Sequence, residues 1–175
     1  IKFNYAHFAP VVELSDDQVC GFVETAKEKA EGEYRTAIMD GILGYYDENA
    51  ENYNFKNAEA AAKKAVEIFG KNGTTALLLG IVFNNTGQYQ EAVNVLSSSE
   101  KDLHAAGKWE LARALAETGD LAGAYTRFEA ALDAIPRMVT MMELPNYKIL
   151  HKLKSQPGYD MLMLRTNAVA GGNIN

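Results

Sequence analysis

Two features of this chain have residue types and spacing that chemistry uses. Glu100 and His104 in "EKDLH" (100–104) stand four residues apart, a separation that puts both side chains on one helix face within reach of a metal ion. Two ligands do not make a site, and the other histidines, His7 and His151, lie far away in sequence. A solvated loop or helix end is the expectation here. The acidic run "DENAEN" (47–52) lacks the dense oxygen pattern of a calcium loop. Cys20 is the single cysteine, so neither an internal disulfide nor a cysteine metal knuckle can form. Its neighbours Val19 and Phe22 suggest a small buried hydrophobe instead of a reactive thiol. There is no glycine-rich phosphate loop, no nucleophile elbow and no histidine pair at helical ligand spacing. The residues therefore point to no catalytic group, no metal and no cofactor.

The charge balance argues against a nucleic-acid binder. The chain has 175 residues, a length suited to one domain or one repeat array. Its net charge is −6, where a nucleic-acid binder normally carries a basic stripe. The one basic cluster, "KILHKLK" (148–154), has helical spacing and is expected to be a solvated face. The longest apolar run, "ALLLGIVF" (76–83), is far short of the roughly 20 residues a membrane span needs. No signal peptide is visible, but the sequence begins at Ile1 without methionine. A processed or trimmed start leaves export to the cell envelope or exterior open.

These residues must be positioned by helices. Only "IKFNYAHF" (1–8) alternates with a strand period, and Pro10 interrupts it. Ser15 and Gln18 then form a capping-box pattern ahead of the helical positions Val19, Phe22, Val23 and Ala26. Apolar spacing predicts helices near 16–30, 33–48, 55–69, 73–86, 89–99, 106–118, 121–134, 137–143, 146–154 and 157–167. Glycine in "KNGT" (71–74), "NTGQ" (85–88) and "ETGD" (117–120) marks expected helix ends. The sequons Asn72–Gly73–Thr74 and Asn84–Asn85–Thr86 fall at these turns and are read as turn-formers, with glycosylation left open. The expected organisation is an extended arm over 1–14, one helical domain over 15–168 and a disordered tail over 169–175.

Gly80 sits inside an apolar helix, where glycine costs roughly 0.5–1 kcal/mol against alanine. "LGIVFNNTGQYQEA" (79–92) supplies a reason. Leu79, Gly80, Phe83, Gly87 and Ala92 resemble the signature of the tetratricopeptide repeat. A second copy in 109–136 places Leu111, Ala112, Leu115, Gly119, Leu121, Ala124, Phe128, Ala131 and Pro136 in the corresponding positions. A degenerate third copy keeps Phe55, Ala58 and Ala65. The resemblance covers roughly residues 40–136. It implies an all-α superhelix of about three helix pairs with helical caps, in which Gly80 and Ala92 face each other where two helices cross. "LKSQPGYDMLMLR" (153–165) is similar to the helix that closes such arrays, with Pro157 at its first position and Tyr159 and Leu162 turned inward.

The same register implies a function. The first helices of such repeats line a concave groove, and groove positions fall on Leu77, Ile81, Asn84 and Asn85 in one copy and on Trp109, Arg113 and Glu117 in the next. The implied activity is non-catalytic: a protein or peptide segment is held in the groove, with Trp109 as an exposed anchor beside Arg113 or, equally, as core. Leu77 and Ile81 occupy positions where the chaperone-tail-binding members carry a carboxylate clamp, so that specificity is not implied. An alternative is a structural subunit that self-assembles into an oligomer or filament. Ile1, Phe3, Tyr5 and Phe8 of the arm would then pair with a neighbour, because a lone strand leaves its backbone groups unpaired; the rival is an arm folded back on its own helices.

Overall fold

A computed structural model of the chain describes residues 59–60, 62–63, 65–67 and 70–171. All described elements are helical, and no strand occurs among the described residues. The expected arm over 1–14, the first two helices, Cys20 and "DENAEN" lie outside them. The described positions between 59 and 67 are helical. Four α-helices follow: α1 (Gly73–Asn85), α2 (Tyr89–Ser98), α3 (Ala105–Thr118) and α4 (Leu121–Ala134). Two 3₁₀ segments, η1 (Pro136–Glu143) and η2 (Pro145–Ser155), lead to the final helix α5 (Tyr159–Gly171). A single 3₁₀ turn, Glu100–Asp102, joins α2 to α3.

Local chemistry sets these boundaries. Asn72 caps α1, its Oδ1 accepting from the Thr74 and Thr75 N–H groups at 2.9 and 3.0 Å. Thr75 Oγ1 accepts from the Asn72 N–H at 3.1 Å and closes a reciprocal box. Asp120 caps α4 through the Gly123 N–H at 2.9 Å. Gly87 and Gly119 end α1 and α3 with φ of +76° and +94°, the left-handed region that glycine enters without a Cβ penalty. Gly73, by contrast, starts α1 instead of ending a helix. A Cβ there would lie 2.0 Å from the Asp102 carbonyl oxygen, so only glycine lets the loop before α3 pass over this helix start.

The segment after α4 departs from expectation in kind. Helices are predicted at 137–143 and 146–154, and helices are found, but they are 3₁₀. Ile135, Met138, Met141, Leu144, Tyr147, Leu150 and Leu153 recur at every third residue. That is the period of a 3₁₀ helix, in which residues three apart eclipse each other. Backbone bonds Leu144 N–H to Met141 O and Tyr147 N–H to Leu144 O, at 3.0 and 2.9 Å, carry the pattern across Pro145. Met138, Met141, Tyr147, Leu150 and Leu153 are buried. Pro157 does not open α5, because Gly158 with φ +87° intervenes. Tyr159 and Leu162 do pack inward, and α5 continues to Gly171.

Packing centres on α3, which contacts α1, α2, α4 and η2. One core joins Ala62, Leu79, Phe83, Ala92 and Leu96 to Leu111 and Ala114 of α3. The other joins Trp109 and Ala112 of α3 to Phe128, Ala131, Met138, Leu150 and Leu162. Gly80 is a packing position, and the side chain nearest to it is Leu96, one turn on from Ala92. A Cβ on Gly80 would meet Leu96 Cγ at 2.7 Å. The side chain on the next turn of α2 fills the space, while Ala92 is itself fully buried. Gly80→Leu should therefore overpack this crossing and cost about 1–3 kcal/mol or more. Thermal unfolding checks it: a variant melting at the wild-type temperature would remove Gly80 from the crossing.

Candidate interaction surface

The seven groove positions divide into two groups. Leu77, Asn85 and Glu117 are half-buried. Ile81, Asn84, Trp109 and Arg113 are buried, with Trp109 at 0% exposure and Arg113 at 5%. Trp109 is therefore core and not an exposed anchor. Its ring lies 5.4 Å from Phe128 of α4 and 5.8 Å from Tyr147 of η2. Phe128 in turn stacks on Tyr159 of α5 at 6.3 Å. The sequence suggests a groove edge here because it does not show η2 folding back over α3 and α5 closing against α4. Burial, with smaller additions from Asp160 and Glu143, raises the pKa of the Tyr159 phenol, which keeps it neutral in this stack.

Asn84 and Arg113 belong to a buried polar network instead. Asn84 Nδ2 donates to the Glu110 backbone oxygen at 3.0 Å and to Glu110 Oε2 at 2.8 Å. Arg113 Nη1 donates to Asn85 Oδ1 at 2.8 Å, and Nη2 donates to the Asn84 carbonyl at 3.3 Å. Tyr147 Oη donates to Glu110 Oε1 at 2.5 Å. Arg113 lies 3.7 Å from Glu110 Oε2, and its guanidinium sits 5.4 Å from the centre of the Tyr147 ring. Glu110 is thus the hub, joining α1, α3 and η2. It was absent from the expected site, although its one-turn spacing from Arg113 was readable. Tyr147 carried no such signal, since it lies 37 residues from Glu110. Asn84, 1% exposed and bonded on both sides of its Nδ2, offers no glycan acceptor in the folded chain. Asn72 uses its side chain as a helix cap, as a turn-former should.

Glu100 and His104 are not brought together as a metal pair. The Glu100 carboxylate is held in a two-point bond by Arg127, at 2.9 and 3.1 Å, while His104 is the exposed N-cap residue of α3. No cluster of three or more metal-ligating side chains occurs among the described residues. Compared with known proteins, the chain matches no family model, no curated protein and no solved structure at a significant level. Its surface must therefore be read on its own terms.

What the described surface offers is apolar and lies elsewhere. Met161 and Leu164 are each 67% exposed and Val169 is 59% exposed, all on α5. Met161, Leu164 and Ala168 follow the i, i+3, i+7 spacing of one helix face. Its opposite face is buried through Tyr159, Leu162 and Thr166. Arg165 lies beside the stripe and is tied down by Glu129 and Asp133 of α4, both at 2.9 Å. The spacing of the stripe is legible in the sequence beside that of the inward face. No helix among the described residues is long and apolar enough to cross a membrane.

Proposed function

We propose that this chain is a non-catalytic protein–protein interaction scaffold built from tetratricopeptide-like helix pairs. The pairs α1–α2 and α3–α4, each closed by a left-handed glycine turn, and the packing of α1 on α3 support the repeat reading. So do the small residues Gly80, Ala92, Ala112 and Ala124, all buried where neighbouring helices approach. The buried Glu110 and Arg113 of α3 are engaged by Asn84, Asn85 and Tyr147 from neighbouring elements, as packing groups are.

The observation that carries the interaction reading is the exposed stripe of Met161 and Leu164 on one face of α5, since a helix this exposed on an apolar face marks a contact site. From Met161 to Ala168 the stripe runs about 10 Å along the helix axis. That suits two turns of one partner helix with an apolar face. The half-buried edge at Leu77, Asn85 and Glu117 is secondary. A second reading, self-assembly into an oligomer or filament, is favoured by the place of the stripe on the last described helix. A helical array has open ends, and an apolar end face is a low-cost route to stacking. The arm residues Ile1, Phe3, Tyr5 and Phe8 lie outside the described residues and do not bear on the choice.

A photo-crosslinking residue placed at Met161, with one at Glu117 as comparison, tests both readings in the native host. The scaffold reading expects the residue at 161 to join a different protein. A crosslink from 161 to a second copy supports self-assembly. Crosslinks from 117 with none from 161 would remove α5 as the contact surface.

A further inference from the structure

The period of three in η2 has a consequence on its solvent side. Tyr147, Leu150 and Leu153 form the buried row, so Lys148, His151 and Lys154 form another row, each three residues from the next. Lys148 and Lys154 are exposed and His151 is partly exposed. In an α-helix these three would fan out across a face. In a 3₁₀ helix they stack in a column, with successive members about 6 Å apart. Lys152 is also exposed but stands off the column by one face. No acidic residue occurs between 145 and 155.

The lysines of this row are unengaged, whereas arginines elsewhere are committed. Arg113, Arg127 and Arg165 are all held by carboxylates. Lys148, Lys152 and Lys154 make no ion pair among the described residues. Among the described residues the row makes one ion-pair contact, from Glu143 of η1, 3.8 Å from His151 Nε2 and 80% exposed. The chain as a whole is acidic, so this row is a local reversal of its field.

We infer that the Lys148–His151–Lys154 column is a docking surface for an extended acidic protein segment. An extended chain places alternate side chains on one side about 6.6–6.8 Å apart, which matches the column's spacing. Glutamate or aspartate at alternate positions would meet Lys148, His151 and Lys154 in turn. A nucleic-acid strand is the poorer fit. Tyr147 and Tyr159, the tyrosines of η2 and α5, are buried and offer no ring for base stacking. The inference adds a partner chemistry to the scaffold reading on which it rests. It uses a surface other than the α5 stripe, so its failure leaves the crosslinking result at 161 standing.

Fluorescence anisotropy on the full chain tests it. The probes are a labelled eight-residue peptide with glutamate at every second position, a same-composition peptide with adjacent glutamates, and a labelled single-stranded DNA. The alternating peptide should bind best, and added salt should weaken it. Lys148→Ala with Lys154→Ala should weaken it by about fivefold, and Lys152→Ala by less. Circular dichroism confirms that these exposed substitutions leave the fold intact. Three results overturn the inference: no binding of the alternating peptide, equal loss from Lys152→Ala, or tighter binding of the DNA.

Discussion

Replacing Glu110 with alanine is expected to remove about 3–5 kcal/mol of folding stability. Glu110 is 2% exposed and accepts from Tyr147 and Asn84 while facing Arg113. Alanine would leave the guanidinium in the core without a carboxylate. Tyr147 Oη and Asn84 Nδ2 would each lose an acceptor, and an unsatisfied buried polar group costs about 1–3 kcal/mol. Small domains are stable by about 5–15 kcal/mol, so the loss is a large part of the whole. Urea unfolding measures it. The double change Glu110→Ala with Arg113→Met separates the buried charge from the rest. Removing both charges should restore part of the loss, because a buried pair is often no better than an apolar one of similar volume. A single variant within 1 kcal/mol of wild type would show that Glu110 is not the hub joining α1, α3 and η2.

Trp109→Ala is expected to destabilise by about 3–5 kcal/mol, the range for deleting a large buried aromatic. Trp109 is fully buried and lies between Phe128 and Tyr147, with Tyr159 stacked beyond Phe128. Its removal opens a cavity where α3, α4 and η2 meet and forfeits aromatic contacts worth about 0.5–1.5 kcal/mol each beyond area burial. The sequence-based expectation for this position was different: a groove anchor whose loss weakens binding and spares the fold. The two outcomes are separable by calorimetry. A Trp109→Ala protein with an unchanged melting temperature would restore the anchor role. A steep loss places Trp109 in the core and leaves partner contact to other surfaces.

Legibility followed the range of the interaction concerned. The helices from 73 to 134 were readable within a residue or two, because amphipathic spacing and turn glycines act locally. Leu121–Ala134 matched the expected 121–134, and Gly87 and Gly119 end their helices as their positions suggested. The 3₁₀ geometry of 136–155 was also present in the sequence, as apolar residues at every third position. A short apolar run satisfies both the three-residue and the 3.6-residue period approximately, so the pattern does not by itself choose between them.

The sequence by itself determined that the described chain is helical, where α1 to α4 begin and end, and that Gly80 had to lie against another helix. Each of these depends on backbone preference, capping or spacing within a few residues. The tertiary structure alone decided which faces are inside. Asn84, Trp109 and Arg113 look like a groove when α3 is drawn with its near neighbours. They become core because η2 supplies Tyr147 and α4 supplies Phe128, while Glu110 ties Asn84 to Tyr147. A polar side chain is stable inside only when its partners arrive from elsewhere in the chain, here from 26 to 37 residues away. The same long-range packing decided that α5 buries one apolar face and leaves the other, with Met161 and Leu164, exposed.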